Sequence, residues 1–175
     1  MKKISAPLNQ KVIKNLKVGE EILLNGIIYT ARDQAHKKLC DLIKRKRKLP
    51  FDLRNQVIYY SGPTPEPPGK IIGSCGPTTS ARMDRFTIPL LKIGLKGMIG
   101  KGKRSPEIAS AIREYKAIYF LAPSGAGAYL SKFVKKKELV AWPELGTEAI
   151  YRLEVEDFPL IVGIDTKGSD VYDQR

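Results

Sequence analysis

The sequence has few residues of the types that bind metals or form disulfides. Of its 175 residues two are cysteines, Cys40 and Cys75, and one is a histidine, His36. Two cysteines cannot form a disulfide framework, and a reducing compartment would keep them as thiols. Neither a three-thiolate cluster site nor a zinc site of the usual ligands can be assembled from this set. If the reaction needs a metal, another chain must supply it.

Long apolar runs are also absent. No run approaches the roughly 20 apolar residues that cross a bilayer, and the N-terminal residues lack the apolar core of a signal peptide. We therefore expect a cytoplasmic protein. With 42% apolar residues the chain is long enough for one sizeable core, which predicts a single domain over residues 1–175.

Basic residues outnumber acidic ones, which gives a formal net charge of +13. This excess favours an acidic partner, such as nucleic acid, an anionic small molecule or another subunit, or it serves solubility alone. The densest run, "KRKRK" at 44–48, follows an apolar-periodic segment, and we interpret it as a solvated helix end. No aromatic residues interleave with it to stack on bases. A basic nucleic-acid-binding module is the alternative of another functional class.

Strand-like and helix-like periodicity alternate along most of the chain, which predicts an α/β domain with a mixed sheet and several parallel connections. Asn25-Gly26 lies between two apolar runs and predicts an N-terminal hairpin with strands at about 20–24 and 27–31. A helix capped by Asp33 should follow, so Arg32 would lie at a strand-to-helix junction. Ser105 is the expected cap of a later helix, with a proline at its first position.

Three further expectations concern local structure. Residues 1–17 are expected to form an arm with a short amphipathic piece. Pro89 should break or kink a helix near residue 88, because proline has no backbone N–H to donate. The segments "IYRLEVED" and "PLIVGID" are predicted to be two separate strands.

The stretch from Lys70 to Arg104 carries the candidate site. A strand-like start at 70–73 leads through a turn to two threonines, and Arg82 follows four residues after Thr78. A helix from about residue 79 would present unpaired N–H groups and its positive dipole end to an anion. Thr78 is a candidate cap there and Arg82 lies about one turn along, so both can approach one ligand. The alternative is a simple cap and a surface arginine.

Basic and hydroxyl side chains follow several predicted strands. They are Arg32, Arg82 and Lys101, together with Thr78 and Thr79. Because ligands of α/β folds gather outside the carboxyl ends of strands, these loops can converge on one site. Arginine offers a planar fork and lysine a point charge, which suits a dicarboxylate or a phosphoester. The "GxxxxGK[ST]" pattern that would favour a nucleotide is missing.

Two single residues have competing interpretations. His36 lies on the first turn of the predicted helix and is either a structural hydrogen-bonding residue or an acid/base catalyst. Cys75 is either a small structural thiol or a nucleophile with His36 as its partner.

Five motifs extend across nearly the whole chain. They are "YTARDQAHK" at 29–37, "GSCGPTTSARMD" at 73–84, "KGKRS" at 101–105, "LGTEAIYRLEVEDFP" at 145–159 and "VGIDTKGSDVY" at 162–172. In these motifs the chain resembles the β subunit, or C-terminal domain, of the class I iron–sulfur fumarate hydratases and the related L-tartrate dehydratases. The family often reads "KGN" where this chain has "KGK" at 101–103, which adds a positive charge near the site.

The resemblance implies a swivelling β/β/α fold and a hydro-lyase that acts on a dicarboxylate, with fumarate and (S)-malate as the expected pair. It implies a partner α subunit that carries a 4Fe-4S cluster not ligated by this chain, with the two chains expected to assemble as α2β2. Thr78 would be the catalytic base that removes the carbon-bound proton. Substrate-binding roles are implied for Arg32, Arg82, Lys101, Thr79 and Gly76, and helper roles near Arg32 for His36 and Asp33. L(+)-tartrate as substrate, and a purely structural subunit, are the alternatives.

Overall fold

The computed structural model describes residues 1–174. Its strands and α-helices, in chain order, are β1 (Lys2–Ala6), α1 (Gln10–Ile13), β2 (Glu21–Thr30), α2 (Asp33–Lys44), β3 (Val57–Tyr59), α3 (Asp84–Lys92), β4 (Gly97–Gly100), α4 (Pro106–Glu114), β5 (Ile118–Leu121), α5 (Gly127–Leu130), β6 (Val134–Ala141) and β7 (Ile150–Ile164). Short 3-10 helices cover Ser80–Met83, Ser131–Phe133, Pro143–Glu148 and Val171–Asp173. No helix within residues 1–174 is long and apolar enough to cross a membrane.

The strands form one mixed sheet. Parallel pairing joins β1 to β2, β2 to β3, β3 to β4 and β4 to β5. The long strand β7 pairs antiparallel with β2, β5 and β6. Because β7 connects β2 to β5, the strands β2, β3, β4, β5 and β7 close into a ring. The predicted α/β class, with a mixed sheet and parallel connections, is confirmed.

Two apolar clusters pack against opposite faces of the strands. Adjacent residues alternate between them, since Tyr59 and Phe120 belong to one cluster and their neighbours Ile58 and Tyr119 to the other. This alternation is the period of two that a strand buried on both faces requires. The second cluster also contains the buried faces of α2, α3 and α4. These helices therefore cover one face of the sheet.

The four consecutive parallel strands β2 to β5 end at the same edge of the sheet, here called the carboxyl edge. Hydrogen bonds join the residues that leave these strands. The N–H of Ala31 donates to the carbonyl of Tyr59 over 3.0 Å, and that of Tyr60 donates to Ile99 over 2.8 Å. The N–H of Ala122 donates to the Gly100 carbonyl over 2.9 Å. The loops that follow the four strands therefore start side by side.

Local signals in two helices predicted the structure well. The hydroxyl of Ser105 accepts a hydrogen bond from the N–H of Ile108 at the start of α4, and Pro106 is the first helical residue. Arg32 lies between β2 and α2, at the predicted junction. The basic run 44–48 is exposed and begins at Lys44, the last residue of α2, in agreement with a solvated helix end.

The predicted N-terminal hairpin is wrong. Asn25 and Gly26 lie inside the continuous strand β2, where a bulge shifts the register against β7. The side-chain oxygen of Asn25 accepts a hydrogen bond from the N–H of Asp157 over 3.0 Å. Gly26 has a φ of +103° and passes so close to Ala6 that a Cβ would lie 2.2 Å from the Ala6 carbonyl oxygen. Pairing with β1 on one side and β7 on the other thus keeps Asn25-Gly26 in a strand, where a turn was predicted.

The strand predicted at 70–73 is also wrong. These residues belong to a long irregular segment, in which the N–H of Gly73 donates to the carbonyl of Thr64. The helix expected from about residue 79 begins as the 3-10 turn Ser80–Met83. Thr79 precedes that turn, so Thr78 is not its cap. Asp33 is likewise not a cap, because it is the first residue of α2 and its carboxylate binds an arginine elsewhere.

Three other local predictions are corrected. The expected arm contains β1 and α1, and its Ile13 and Leu16 are buried in the core. Pro89 does not end α3, which continues to Lys92 and buries Leu90 and Leu91, while the kink near residue 88 stays a prediction. The two strands predicted between 150 and 165 are the single strand β7, which passes Asp157 with a φ of 54°.

Candidate active site

The predicted site residues lie on loops at the carboxyl edge. The N–H of Thr78 donates to the carbonyl of Tyr60, just after β3, over 2.7 Å. Thr79 forms an isolated parallel bridge with Lys101, the residue after β4, and the Ser80 N–H donates to the Lys101 carbonyl over 3.0 Å. The segment 78–80 is therefore fixed by backbone hydrogen bonds against the ends of β3 and β4.

Arg82 and Asp33 form a two-point ion pair, although 49 residues separate them in sequence. Arg82 donates from Nη2 to Oδ1 over 2.8 Å and from Nε to Oδ2 over 3.1 Å. This hydrogen bonding lowers the pKa of Asp33 from its ordinary value of 3.8. A guanidinium has five N–H donors, so its Nη1 side stays available to a second anion.

Arg32 stands beside the same carboxylate without a hydrogen bond to it. Its Nε lies 3.8 Å from Oδ1 of Asp33. This Nε is buried and has no hydrogen-bond partner among residues 1–174. A Cβ on Gly62 would lie 3.0 Å from Cδ of Arg32, so the glycine makes room for the arginine stem. Unpaired buried donors are costly, and an anion is the natural partner for this one.

Thr79 and Lys101 line a cavity of about 430 Å³ beside the bridge between them. The other residues around it are Gly102, Leu121, Ala122, Ser124 and Tyr172. The Thr78 side chain is half-buried, and its hydroxyl has no hydrogen bond within the part of the chain described. No ion pair or hydrogen bond within residues 1–174 links the Lys101 side chain to the Arg82–Asp33 pair. The candidates at this edge therefore form two groups. Arg32, Asp33 and Arg82 form one, and Thr79 and Lys101 form the other.

Gly76 lies in a closely packed turn beside this edge. Its carbonyl accepts a hydrogen bond from the Ser61 hydroxyl over 2.9 Å, and a Cβ on it would lie 3.4 Å from Cα of Gly127. The neighbouring Cys75 is buried, and its carbonyl accepts a hydrogen bond from the phenol of Tyr59. Burial raises the pKa of Cys75 to about 12, which favours the structural thiol over the nucleophile.

His36 is fully buried in the first turn of α2. Its Nδ1 lies 2.7 Å from the carbonyl oxygen of Arg32. A carbonyl can only accept, so Nδ1 must carry the proton and donate. Burial lowers the pKa of His36 to about 4. The histidine contacts the backbone of Arg32, and its burial suits holding that arginine better than exchanging protons with a substrate.

The described residues offer no ligand set for an iron–sulfur cluster. Within residues 1–174 no group of three or more His, Cys, Asp or Glu side chains is arranged to hold a metal ion. The thiols of Cys40 and Cys75 belong to different apolar clusters, and burial raises the pKa of Cys40 to about 11. Because these clusters lie on opposite faces of the sheet, the two thiols cannot bind one cluster together.

The sequence did not predict the buried polar side chains that lie beneath the loop carrying Thr78 and the loop carrying Lys101. The phenol of Tyr119 lies 2.7 Å from the Ser80 hydroxyl and 2.8 Å from the Gly102 carbonyl. The Arg104 side chain is fully buried, and its Nε donates to Asp84 over 2.6 Å. Tyr119 gave no signal because its strand pattern is that of any apolar residue. Arg104 stood in the "KGKRS" motif, but nothing there indicated that it is buried.

Fold and site together define an α/β domain that carries basic loops at the carboxyl edge of parallel strands. The family described as "Fumarase C-terminus" matches residues 2–175, and the chain belongs to this family. The resemblance drawn from the sequence motifs is thereby confirmed.

Individual relatives give the same result. The chain is 40% identical over 173 residues to "Putative L(+)-tartrate dehydratase subunit beta" of Methanocaldococcus jannaschii, covering 95% of this chain and 89% of the relative. It is 35% identical over 177 residues to the L(+)-tartrate dehydratase subunit beta of Escherichia coli, covering 98% and 87%. It is 40% identical over 177 residues to the anaerobic class I fumarate hydratase of Escherichia coli, covering 99% of this chain and 31% of that enzyme. The family is one of hydro-lyases, and this chain spans most of the β subunits but under a third of the fumarate hydratase.

Proposed function

We propose that this chain is the β subunit of a two-subunit iron–sulfur hydro-lyase that interconverts fumarate and (S)-malate. The arginine pair at the carboxyl edge carries this proposal. Arg82 keeps one side of its guanidinium available while it binds Asp33, and Arg32 has a buried, unpaired Nε beside the same carboxylate. Two planar forks of this kind suit a dicarboxylate.

The charge at the site supports an anionic substrate. Arg32, Arg82 and Lys101 carry three positive charges, whereas Asp33 and the nearby Glu148 carry two negative charges, which leaves a surplus of one. Fumarate and malate carry two negative charges at neutral pH. In the proposal the arginines and Lys101 bind the two carboxylates, and Thr79 and Gly76 shape the pocket around them.

Thr78 is the proposed base that removes the carbon-bound proton of malate. A threonine hydroxyl is a weak base in water, so positive charge nearby must stabilise its deprotonated form. Arg82 is the cationic residue on the adjoining 3-10 turn. The half-buried Thr78 hydroxyl has no hydrogen-bond partner in the described chain, so no intramolecular bond needs to break before it meets substrate.

The iron–sulfur cluster is assigned to a partner α subunit. The two thiols of this chain do not fit as its ligands, because they lie on opposite faces of the sheet. In the proposal the site forms where the carboxyl edge meets the cluster-bearing chain. The role of this chain is to bind the carboxylates, orient the substrate and hold the proton at Thr78.

A dehydratase for L(+)-tartrate is the second candidate. It is favoured by the relatives named as tartrate dehydratase β subunits, because this chain covers 89% and 87% of their length. Malate and tartrate are both dicarboxylates, and tartrate has one more hydroxyl group, which a few polar contacts would distinguish.

An anaerobic pull-down of the tagged chain from its source cells tests the assembly and the substrate together. We expect a brown, cysteine-rich partner and hydration of fumarate in the eluate, with no activity from the chain alone. Faster turnover of tartrate would favour the second candidate. A colourless chain that retains nucleic acid through moderate salt would overturn the enzyme assignment.

Replacing Thr78 tests the catalytic role directly. We expect Thr78→Ala to lower kcat of the assembled enzyme by about 10²-fold or more, because the proton acceptor is lost. Thr166→Ala is the matched control, since this half-buried threonine follows β7 at the opposite edge of the sheet. Unchanged turnover in Thr78→Ala would remove Thr78 from the mechanism. If Thr78→Ala assembles normally yet is inactive, a purely structural role for the chain is excluded.

A further inference from the structure

The phenol of Tyr119 bridges the two loops that carry Thr78 and Lys101. Its oxygen lies 2.8 Å from the carbonyl oxygen of Gly102 and 2.7 Å from the hydroxyl of Ser80. A phenol has one proton and the carbonyl can only accept, so Tyr119 donates to Gly102. The Ser80 hydroxyl must then donate to the phenol oxygen. One side chain on β5 thus holds both loops.

Close packing leaves little freedom to the Ser80 side of this bridge. A Cβ on Gly100 would lie 1.9 Å from the Ser80 hydroxyl oxygen, so that hydroxyl occupies the space a larger residue at 100 would need. The N–H of Ser80 also donates to the Lys101 carbonyl, and Thr79 pairs with Lys101 in the sheet direction. This pairing therefore fixes the backbone of Lys101 against Thr79 and Ser80, the two residues that follow Thr78.

The ring of Tyr119 is itself held from below. The guanidinium carbon of Arg104 lies 4.9 Å from the ring centroid, within the range of a cation–π contact. Arg104 is fixed by Asp84 over 2.6 Å and by the Thr87 hydroxyl over 2.9 Å. The second oxygen of Asp84 accepts from the N–H of Ser105, which ends the Lys101 turn. The phenol therefore cannot swing away without disturbing a buried charge.

We propose that Tyr119 is a positioning residue that sets the separation between Thr78 and Lys101. The inference rests on the proposed function, in which these two residues act on the same substrate. Lys101 lies on an exit turn whose next residue, Gly102, has a φ of +85° and no side chain to anchor it. Without the phenol the Gly102 carbonyl would lose the hydrogen bond that ties the middle of this turn to β5. The ends of the turn would still be held, by Ser80 at Lys101 and by Asp173 and Asp84 at Lys103 and Ser105. A misplacement of about 1 Å can cost about 10²-fold in rate.

A double-mutant cycle in the assembled two-subunit enzyme tests the inference. Tyr119→Phe removes only the phenol oxygen and keeps the ring over Arg104. We expect it to lower kcat/KM for malate by about 10-fold or more when Lys101 is present. In a Lys101→Met background the same change should alter kcat/KM by less than about 2-fold, because the group being positioned is gone. A merely structural role would give the same loss in both backgrounds.

Tyr115→Phe is the matched control, because it also removes a phenol, and Tyr115 lies between α4 and the start of β5, at the edge of the sheet opposite the site. It should leave kcat/KM within about 2-fold of wild type in both backgrounds. If Tyr119→Phe fails to assemble, Ser80→Ala breaks the other end of the bridge and should show the same dependence on Lys101.

The outcomes separate the inference from the function on which it rests. Wild-type kcat/KM in Lys101→Met would refute the role of that lysine and the inference with it. A large loss in Lys101→Met with an equal loss from Tyr119→Phe in both backgrounds would refute the inference alone. Wild-type kcat/KM in Tyr119→Phe would do the same.

Discussion

His36 makes the stability of this protein depend on pH in the range between about 6.5 and 4. The ring is fully buried, and Nδ1 donates to the Arg32 carbonyl over 2.7 Å. Nε2 therefore carries the lone pair, and it has no hydrogen-bond partner among the described residues. The rings of Tyr60 and Phe86 lie 5.3 and 6.0 Å from the histidine ring. Protonation would place a new N–H and a positive charge in this apolar surrounding.

The size of the effect follows from the pKa. The pKa of His36 is lowered from 6.5 to about 4, chiefly by burial and also by the nearby charge of Arg104, while the Arg32 carbonyl and the charge of Asp33 oppose the change. Between pH 6.5 and 4 His36 is protonated in the unfolded chain and neutral in the folded chain. Stability is thus full above pH 6.5 and is lost progressively between pH 6.5 and 4, by about 3 kcal/mol in all.

Thermal unfolding of wild type and His36→Asn between pH 7.5 and 4.5 measures this loss. Asparagine keeps a donor near the Nδ1 position but does not titrate. About 2.5 kcal/mol of the loss falls within this range, so for a chain of this size we expect the wild-type Tm to fall by roughly 5–10 °C more than that of the variant. The pKa of Asp33 is lowered from 3.8, so its contribution is lost only below this range. Parallel Tm curves for the two proteins would refute a neutral, buried His36.

Three further predictions concern individual groups. Arg82→Lys keeps the charge but loses the planar fork that binds Asp33 on one side and, in the proposal, a substrate carboxylate on the other, so kcat/KM should fall by an amount equivalent to about 2–4 kcal/mol. A wild-type kcat/KM would contradict the need for an arginine fork at this position. Asp84→Ala leaves the guanidinium of Arg104 buried without its carboxylate, so urea titration should give an unfolding free energy lower by about 3–5 kcal/mol; a loss below about 1 kcal/mol would contradict the ion pair. Burial raises the pKa of Cys75 to about 12, so a thiol reagent at neutral pH should label it far more slowly in the native than in the unfolded protein, and equal rates would contradict its burial.

Signals confined to one turn of chain were sufficient where no other segment competed. Ser105 and Pro106 predicted the start of α4 because a cap is satisfied by the helix itself. Asn25-Gly26 failed because its turn preference is outweighed by pairing with β1 and β7, which are distant in sequence. A local sequence pattern contains no information about the neighbouring strands, and these decide whether such a pair forms a turn or a bulge.

The same limit applies to the site. Arg32 lies between β2 and α2, at the strand-exit position that the sequence predicted. Thr78 does not follow the strand predicted at 70–73, and the bond of its N–H to Tyr60 brings it to the same edge. The ion pair between Arg82 and Asp33 joins residues 49 apart and depends on how α2 and the 3-10 turn pack, which no spacing rule contains. The phenol of Tyr119 was invisible for a related reason, since its polar end matters only once two other loops meet above it.

The closure of the sheet by β7 has a consequence for how the chain folds. Glu21 on β2 pairs with Ile161 on β7, so the ring cannot close until both ends of the chain are available. Contacts so distant in sequence slow folding, because a long loop must be ordered before they form. Until β7 arrives, β2 and β5 each present an open edge, and unpaired edges of this kind promote association between chains. Removal of the residues from Ile150 onward should therefore yield an aggregating protein in place of a smaller folded one.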